Sequence, residues 1–174
     1  MNLVSKGLKG QVIFMELSRE EQEVLDALLR ELRRHPKVQE MKRYIQHGAI
    51  STYDHVERVT QMCFALNRRW KLGADEERLV RGAFLHDFYL YDWHVNDKSH
   101  RLHGYHHPDK SCANAVKYFQ IGPAEQSMIR THMWPLTISR LPCSKEAWIL
   151  CLVDKYVSTA ETVTMRKREK RYVD

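Results

Sequence analysis

Several histidines and carboxylates of this chain lie at the ends of apolar segments, where ionisable groups are costly to bury. His86 and Asp87 directly follow the apolar run "GAFL", and Asp154 follows "WILCLV". A carboxylate inside an apolar run costs several kcal/mol unless it is paired, hydrogen-bonded or bound to a metal. A divalent cation would neutralise such carboxylates and take neutral imidazoles as ligands, so the pattern predicts a metal site.

Three more histidines extend this set. His55 lies in the first turns of another apolar-striped segment, His107 precedes Pro108, and His132 ends the segment "SMIRTH". A single histidine near a core is more often a structural residue than a ligand, and Asp154 alone could pair with a neighbouring Arg or Lys. The order and spacing of the whole set favour metal ligation.

The segments that carry these residues have the periodicity of amphipathic helices. A capping box of Ser18 and Glu21 opens the first, which carries leucines on one stripe. Pro36 begins a shorter helix that we expect to stop at Gly48, and the next helix closes on Gly73 as its C-terminal cap.

Proline and aspartate mark the later helix starts. Asp75 caps the helix that leads to the His-Asp pair, while Pro108 and Pro123 occupy first turns, with His107 as the N-cap before Pro108. A further helix covers "SKEAWILCLVDKYVSTAE". No segment alternates long enough to predict a strand, although "QVIFM" could pair locally. The sequence therefore predicts an all-α helical bundle of about six or seven helices.

Length and composition bound the organisation of the chain. With 174 residues, 43% of them hydrophobic, there is room for one domain. We expect an N-terminal extension at 1–17, a single domain at 18–165 and a basic tail at 166–174. The apolar runs fall short of the roughly 20 residues that span a bilayer, and no leader cleavage site follows the N-terminal stretch. The four cysteines lack CxxC pairing and suit buried thiols. We expect a cytoplasmic protein without membrane contact.

The positive charge is concentrated at one end of the chain. The net charge is +6, and the last nine residues, "RKREKRYVD", supply half of it. A terminal run of this kind is most often a solvated helix end, so nucleic acid is a poor candidate partner and a small anionic substrate suits the field better. A homo-oligomer stays open.

The order of His55, His86 with Asp87, and finally Asp154 resembles the HD-domain metal-dependent phosphohydrolase superfamily. The resemblance covers about residues 50–160 and is carried by "DHVERV", "GAFLHDF" and "ILCLVDKY". The segments "HHPDKS" and "IRTHMWPL" lie where members with two metals, including the HD-GYP branch, place additional histidines. The GYP signature is missing, so the cyclic-dinucleotide substrate is not carried over. The ligand set implied by the resemblance is His55, His86, Asp87, His107, His132 and Asp154.

The resemblance also implies a reaction, the hydrolysis of a small phosphate ester, with nucleotides among the candidates. Asp87 would bridge two divalent cations about 3.5–4 Å apart and hold a water that attacks phosphorus. If only four ligands act, the site is mononuclear. Iron or manganese suits these ligands best, and zinc, nickel, cobalt and magnesium stay open.

Basic groups near such a site are expected to bind the phosphate. Lys155, next to the last ligand, is the first choice for contacting substrate or the attacking water, and is counted with Asp87 as catalytic. Arg130 and Arg101 are further candidates, although Arg130 has a good alternative as surface charge. His106 could replace His107 as a ligand, and otherwise faces the substrate. Further candidates near the site are Lys98 and His103 as parts of a lid, and Tyr91 and Trp134 as surfaces that stack on a nucleobase.

Two other functions fit the same residues. Some HD-domain relatives use a di-iron pair to activate oxygen and cleave carbon bonds. The second alternative is a binding module, either with a structural metal or with a basic tail that binds RNA. Oxygen consumption with a mixed-valent iron signal would identify the oxygenase, and salt-dependent binding without turnover the binding module.

Overall fold

Seven α-helices make up most of the computed structural model, which describes residues 15–95 and 102–171, with side chains described as far as residue 164. The prediction of an all-α bundle is confirmed. No helix in the described ranges is both long and apolar enough to cross a membrane. The helices are α1 (Arg19–Arg34), α2 (Pro36–Glu40), α3 (Thr52–Arg69), α4 (Glu76–Leu85), α5 (His103–Phe119), α6 (Pro123–Thr131) and α7 (Lys145–Arg171).

The first helix begins as its sequence signals indicate. The Ser18 hydroxyl accepts from the Glu21 backbone N–H at 3.1 Å, and the Glu21 carboxylate accepts from the Ser18 N–H at 2.8 Å. This capping box pairs two amide groups that would otherwise lack partners. Leu25, Leu29 and Leu32 form the buried stripe of α1.

The helix expected from Pro36 to Gly48 is wrong beyond its first turn. The α2 helix ends at Glu40, Met41–Arg43 form a 3-10 turn, and two short strands follow, β1 (Ile45–His47) and β2 (Ile50–Ser51). They pair antiparallel, and Gly48 lies between them with φ of 59°, a conformation that glycine adopts without strain. A three-residue strand is too short to show a period of two, so the sequence carried no strand signal here.

The α4 helix is central to the bundle, because it contacts α1, α3, α6 and α7. Asp75 caps its start as expected, accepting from the Arg78 N–H at 2.9 Å. The α3 helix ends at Arg69 with Trp70 as its cap, so Gly73 is not the helix cap that the sequence suggested. Phe64 and Phe84 are fully buried in the core between these elements.

The α5 helix corrects the expectation for Pro108. It begins at His103, and Pro108 is buried inside it, so His107 is an internal helical residue and not an N-cap. Pro108 lacks the N–H that would reach the carbonyl of Gly104, and its ring crowds that carbonyl, so this position is less favourable for proline than the first turn that the sequence suggested. Pro123, in contrast, opens α6 as predicted.

The ends of the chain and the cysteines agree only in part with the expectations from the sequence. The backbone of α7 continues to Arg171, into the segment expected to be a basic tail. Residues 1–14, most of the expected N-terminal extension, lie outside the described residues, as does most of "QVIFM". Three cysteines are buried as free thiols, but Cys143 is exposed, against the expectation.

Candidate metal centre

Six buried side chains from five helical segments meet in the middle of the bundle. Two of them, His86 and His132, cap the C-terminal ends of α4 and α6. Each of the six residues has a relative exposure of 6% or less. The structure thus brings together all six residues of the expected ligand set, which are His55 of α3, His86 and Asp87 after α4, His107 of α5, His132 after α6 and Asp154 of α7.

The helix ends fix the orientation of two of the imidazoles. Nδ1 of His86 lies 2.7 Å from the carbonyl oxygen of Ala83, and Nδ1 of His132 lies 2.7 Å from that of Ile129. These carbonyls belong to the last turns of α4 and α6, where carbonyl groups lack helical partners. Because a carbonyl only accepts, Nδ1 carries a proton in both rings, and the neutral form of each ring presents the Nε2 lone pair to the centre.

The other two imidazoles are oriented in the same sense. Nδ1 of His107 lies 2.9 Å from the carbonyl oxygen of His103, one helical turn earlier. Nδ1 of His55 lies 2.9 Å from Oε2 of Glu161. All four rings therefore direct Nδ1 at an acceptor and Nε2 inwards, which is the arrangement of metal-ligating histidines.

The first group of ligand atoms surrounds Oδ2 of Asp87. Nε2 of His86 lies 3.4 Å from this oxygen and 3.6 Å from Oδ1 of Asp154. Nε2 of His55 lies 3.2 Å from the same Asp154 oxygen and 3.8 Å from Oδ2 of Asp87. This group could hold one cation.

The second group surrounds the other oxygen of the same carboxylate. Oδ1 of Asp87 lies 3.1 Å from Nε2 of His107 and 3.6 Å from Nε2 of His132. The two Nε2 atoms lie 2.9 Å apart. Because Asp87 directs one oxygen at each group, its carboxylate is shared by two groups of side chains that could each hold a metal ion.

The donor set and the spacing both fit a divalent cation. The ligands are imidazole nitrogens and carboxylate oxygens without thiolates, and bond lengths of about 2.0–2.2 Å place neighbouring ligand atoms roughly 3–3.5 Å apart. In addition, His86 Nε2 and Asp87 Oδ1 are buried without a hydrogen-bond partner among the described residues. Buried polar atoms are almost always paired, so these two atoms indicate a missing cationic partner.

The protonation states of the histidines and carboxylates in the first group depend on one another. Burial alone would lower the pKa values of His55 and His86, but contact with Asp154 raises the pKa of His55 to about 9, and the charge of Asp87 raises the pKa of His86 to about 10. Burial would raise the pKa values of the two carboxyls, yet the histidines hold them well below their usual range. Protons on the imidazoles thus take the place of a cation in the metal-free protein.

The pKa of His132 is shifted in the opposite direction to those of His55 and His86. Burial, reinforced by the charges of His107 and His86, lowers the pKa of His132 to about 3. Its imidazole therefore stays neutral, with the Nε2 lone pair available to a metal throughout the physiological range.

A polar network behind Asp87 was missed by the sequence analysis. Nε2 of Gln46, from β1, donates to Oδ2 of Asp87 at 2.7 Å. The amide is oriented by the hydroxyl of Tyr89, which donates to Oε1 of Gln46 and lies 2.8 Å from the Thr52 hydroxyl. The β-hairpin thereby positions the shared carboxylate. No local signal marked Gln46, because its role depends on a hairpin that the sequence did not predict.

Glu161 is a second residue that the analysis missed, although a signal existed. It follows Asp154 by seven residues, two helical turns, and so lies on the same face of α7. Burial alone would raise its pKa, but the His55 hydrogen bond and Arg58, whose Nη1 lies 2.9 Å from Oε1, lower it. His47 lies close enough to form a third group with His55 and Glu161 that could hold an ion.

A cleft of about 940 Å³ opens onto the ligands. Asp87, His107, His132 and Asp154 line its polar end. Lys155 also lines it and donates from Nζ to the carbonyl oxygen of His132 at 2.6 Å. Among the described residues that line the cleft, Lys155 is the only Lys or Arg. This position is the one that its expected contact with substrate requires.

The other basic candidates are not brought to this cleft. Arg130 is exposed, lies 3.9 Å from Asp109 and lines a different, smaller cavity, because α6 directs it away from His132. His106 is exposed on α5 and does not line the cleft, since the buried face of this helix carries His107. The expectations that Arg130 and His106 face the substrate are therefore not met by their positions. Arg101 lies outside the described residues, as does Lys98.

The remaining loop candidates differ in whether they line the cleft. His103 lines the cleft, and its Nδ1 lies 2.8 Å from the hydroxyl of Tyr91. Tyr91 and Trp134 are not among the lining residues. Trp134 instead packs its ring at 5.1 Å from that of Trp148, so it belongs to the core edge.

Comparison with family models, curated proteins and solved structures finds no match to the chain. The HD-domain resemblance therefore stays a prediction, based on the order and spacing of the ligand residues.

Proposed function

We propose that this chain is a metal-dependent phosphohydrolase of HD type that hydrolyses a small phosphate ester. The observation that carries the proposal is the position of Asp87, whose two oxygens face separate groups of histidine nitrogens at the end of a cleft. Paired cations bridged in this way are the common device of enzymes that transfer phosphoryl groups to water.

When bound, divalent cations supply Lewis acidity at phosphoryl oxygens and make water acidic enough to act as a nucleophile near neutral pH. The chain supplies the positions. Gln46 holds the Asp87 carboxylate by donating to Oδ2, and the helix-end carbonyls hold the rings of His86 and His132. These side chains are buried and fixed before substrate arrives, so little reorganisation is needed during the reaction.

Lys155 is the residue that we assign to the phosphoryl group. Lys155 hydrogen-bonds to the carbonyl oxygen of His132 and to the Cys151 thiol, which leaves one of its three N–H bonds for a phosphoryl oxygen in the cleft. A cation at this position offsets the negative charge of a phosphate ester beside two carboxylates. An oxygenase acting on an uncharged carbon substrate would have no use for it.

The overall reaction balances without a further reactant. The bond between phosphorus and the ester oxygen breaks, and a bond between phosphorus and the water oxygen forms. One water proton passes to the departing alcohol, and phosphate is released.

The test is a screen of phosphate monoesters with protein reconstituted anaerobically with Mn²⁺ or Fe²⁺, measured by phosphate release. We expect turnover with at least one ester by the wild-type protein, and its loss in Asp87→Ala. Arg130→Ala, which changes a basic residue outside the cleft, is the matched control and should keep turnover. A metal-loaded protein that releases no phosphate from any ester would refute the proposal, and oxygen consumption would favour the di-iron oxygenase.

A further inference from the structure

We infer that the substrate is a phosphate monoester of a bulky, apolar alcohol, which occupies the outer part of the cleft while its phosphoryl group meets Lys155 and the metal centre. The inference rests on the proposed function, because it assigns the cleft to the substrate of that reaction. It is carried by the chemistry of the cleft lining away from the ligands.

The cleft has a polar end and an apolar body. Its polar end is formed by the ligand side chains and Lys155, so charge is concentrated where the phosphoryl group would bind. Most of the remaining lining offers hydrocarbon or aromatic surface. The apolar residues that line it are Trp93, Leu102, Met133, Pro135 and Leu136.

Aromatic rings continue this surface to the metal centre. The ring of His103 stacks on that of His107, with centroids 4.5 Å apart and planes 17° apart. Trp93 stacks on His103 in turn, at 5.0 Å and 14°. This column leads from the body of the cleft to a ligand, so an apolar group attached to the phosphoryl group would lie along ring surfaces.

Several polar side chains in the lining are already engaged, whereas the Nε1–H of Trp93 has no hydrogen-bond partner among the described residues. Gln46 donates to Asp87, and the Ser158 hydroxyl lies 3.2 Å from Oδ1 of Asp154. A sugar or glycerol would bring several hydroxyl groups into a cleft whose described side chains offer few unused partners for them. Each hydroxyl that loses water without gaining a partner weakens binding, so the lining selects against polyols.

The rim of the cleft, as far as the described residues form it, carries exposed apolar side chains as well. Leu102 is 67% exposed and Leu136 is 44% exposed, and both line the cleft. Leu136 also lies close to the backbone of α5, because a Cβ on Gly104 would lie 3.0 Å from its Cδ2. A bulky apolar alcohol would cover this surface, and the removal of that surface from water favours binding.

The first experiment compares benzyl phosphate with ethyl phosphate as substrates of the metal-loaded protein. The two departing alcohols have similar acidity, so a difference reports on the apolar group and not on the leaving-group chemistry. We expect kcat/KM to be about tenfold higher for benzyl phosphate, since the additional ring buries apolar surface. Glycerol 2-phosphate should be the poorest of the three.

The second experiment measures binding without turnover, using benzylphosphonate and ethylphosphonate in calorimetric titrations of the metal-loaded protein. Leu136→Ala should weaken benzylphosphonate binding about fivefold and leave ethylphosphonate unchanged. Leu136→Gln keeps the side-chain length and should have the same effect, which separates apolarity from size. Ile138→Ala is the matched control, because Ile138 is 81% exposed nearby but does not line the cleft.

The outcomes separate the two proposals. Equal kcat/KM for the benzyl and ethyl esters, or equal weakening of both phosphonates in the Leu136 variants, would overturn the assignment of the apolar alcohol while leaving the phosphohydrolase in place. Absence of phosphate release from all three esters, together with no binding of either phosphonate, would count against the phosphohydrolase itself.

Discussion

The Nε2 atoms of His107 and His132 lie 2.9 Å apart, although both rings direct Nδ1 at a backbone carbonyl oxygen. A neutral imidazole that donates from Nδ1 keeps a lone pair on Nε2, so two such rings would repel each other at this distance. A cation between the rings and Asp87 Oδ1 turns the repulsion into shared ligation. The geometry of this pair therefore fits two rings that share one metal ion.

Metal stoichiometry directly tests the proposal that the centre holds two cations. Wild-type protein loaded with Mn²⁺ and freed of excess metal should hold about two equivalents by plasma mass spectrometry. His132→Ala should hold about one, because the second group loses one of its three ligands while His55, His86 and Asp87 still form a group that could hold an ion. Asp87→Ala should hold less than one and lose turnover, since both groups share that carboxylate.

The control for this measurement is His94→Ala. His94 is exposed and contacts Asp92 at 3.2 Å, so its removal should leave the metal content unchanged. Two equivalents retained in Asp87→Ala would show that the ligand assignment is wrong.

Glu161 should set the metal affinity through His55. The carboxylate holds Nδ1–H of His55 and makes Nε2 a better donor, and loss of such a partner typically weakens metal binding about 10–100-fold. Glu161→Ala is expected to fall in that range and Glu161→Asp to recover part of it, in competition titrations with a chromophoric chelator.

A matched variant for this test is Glu57→Gln. Glu57 forms a partly buried ion pair with Arg33 at 2.7 Å, away from the centre. The Glu57→Gln substitution should alter the stability of the protein without altering its affinity for the metal. A Glu161→Ala protein that binds metal as tightly as the wild type would rule out the positioning role.

Lys155 should affect turnover and not metal content. Lys155→Ala removes the only Lys or Arg side chain among the described residues that line the cleft. We therefore expect kcat/KM for the best ester to fall about 100-fold or more while two metal equivalents remain. Arg130→Ala should stay within about twofold of wild type, because its partner Asp109 lies outside the cleft. Equal losses in the two variants would place the phosphate contact elsewhere.

The stability of the metal-free protein should fall as the pH rises above neutral. The folded state raises the pKa values of His55 and His86 from 6.5 to about 9 and about 10. Between pH 6.5 and 10 the folded chain therefore holds protons that the unfolded chain has released, and the associated stability is complete below pH 6.5 and lost as the pH passes through 9 and 10.

Thermal unfolding at several pH values, with and without a chelator, measures this effect. A lower Tm at pH 9 than at pH 6.5 is expected with the chelator present. The metal-loaded protein should lack this dependence, because the metal replaces the protons. A constant Tm across this range without metal would contradict the raised pKa values.

Local signals in the sequence predicted the helical elements and the composition of the centre. The Ser18 capping box and Pro123 mark helix starts through bonds made within one turn, so the folded chain repeats them. His86, Asp87 and Asp154 were conspicuous because ionisable groups in apolar runs need a partner wherever the chain folds.

Only the tertiary structure decided how these residues meet and what supports them. Gln46 reaches Asp87 through a hairpin too short to leave a pattern, and Lys155, not Arg130, faces the cleft. Helical periodicity assigns a side chain to one face of its own helix, but it does not state which other helix ends that face will meet. That arrangement depends on the packing of α4 against its neighbours, and it brings residues from five helical segments to one centre.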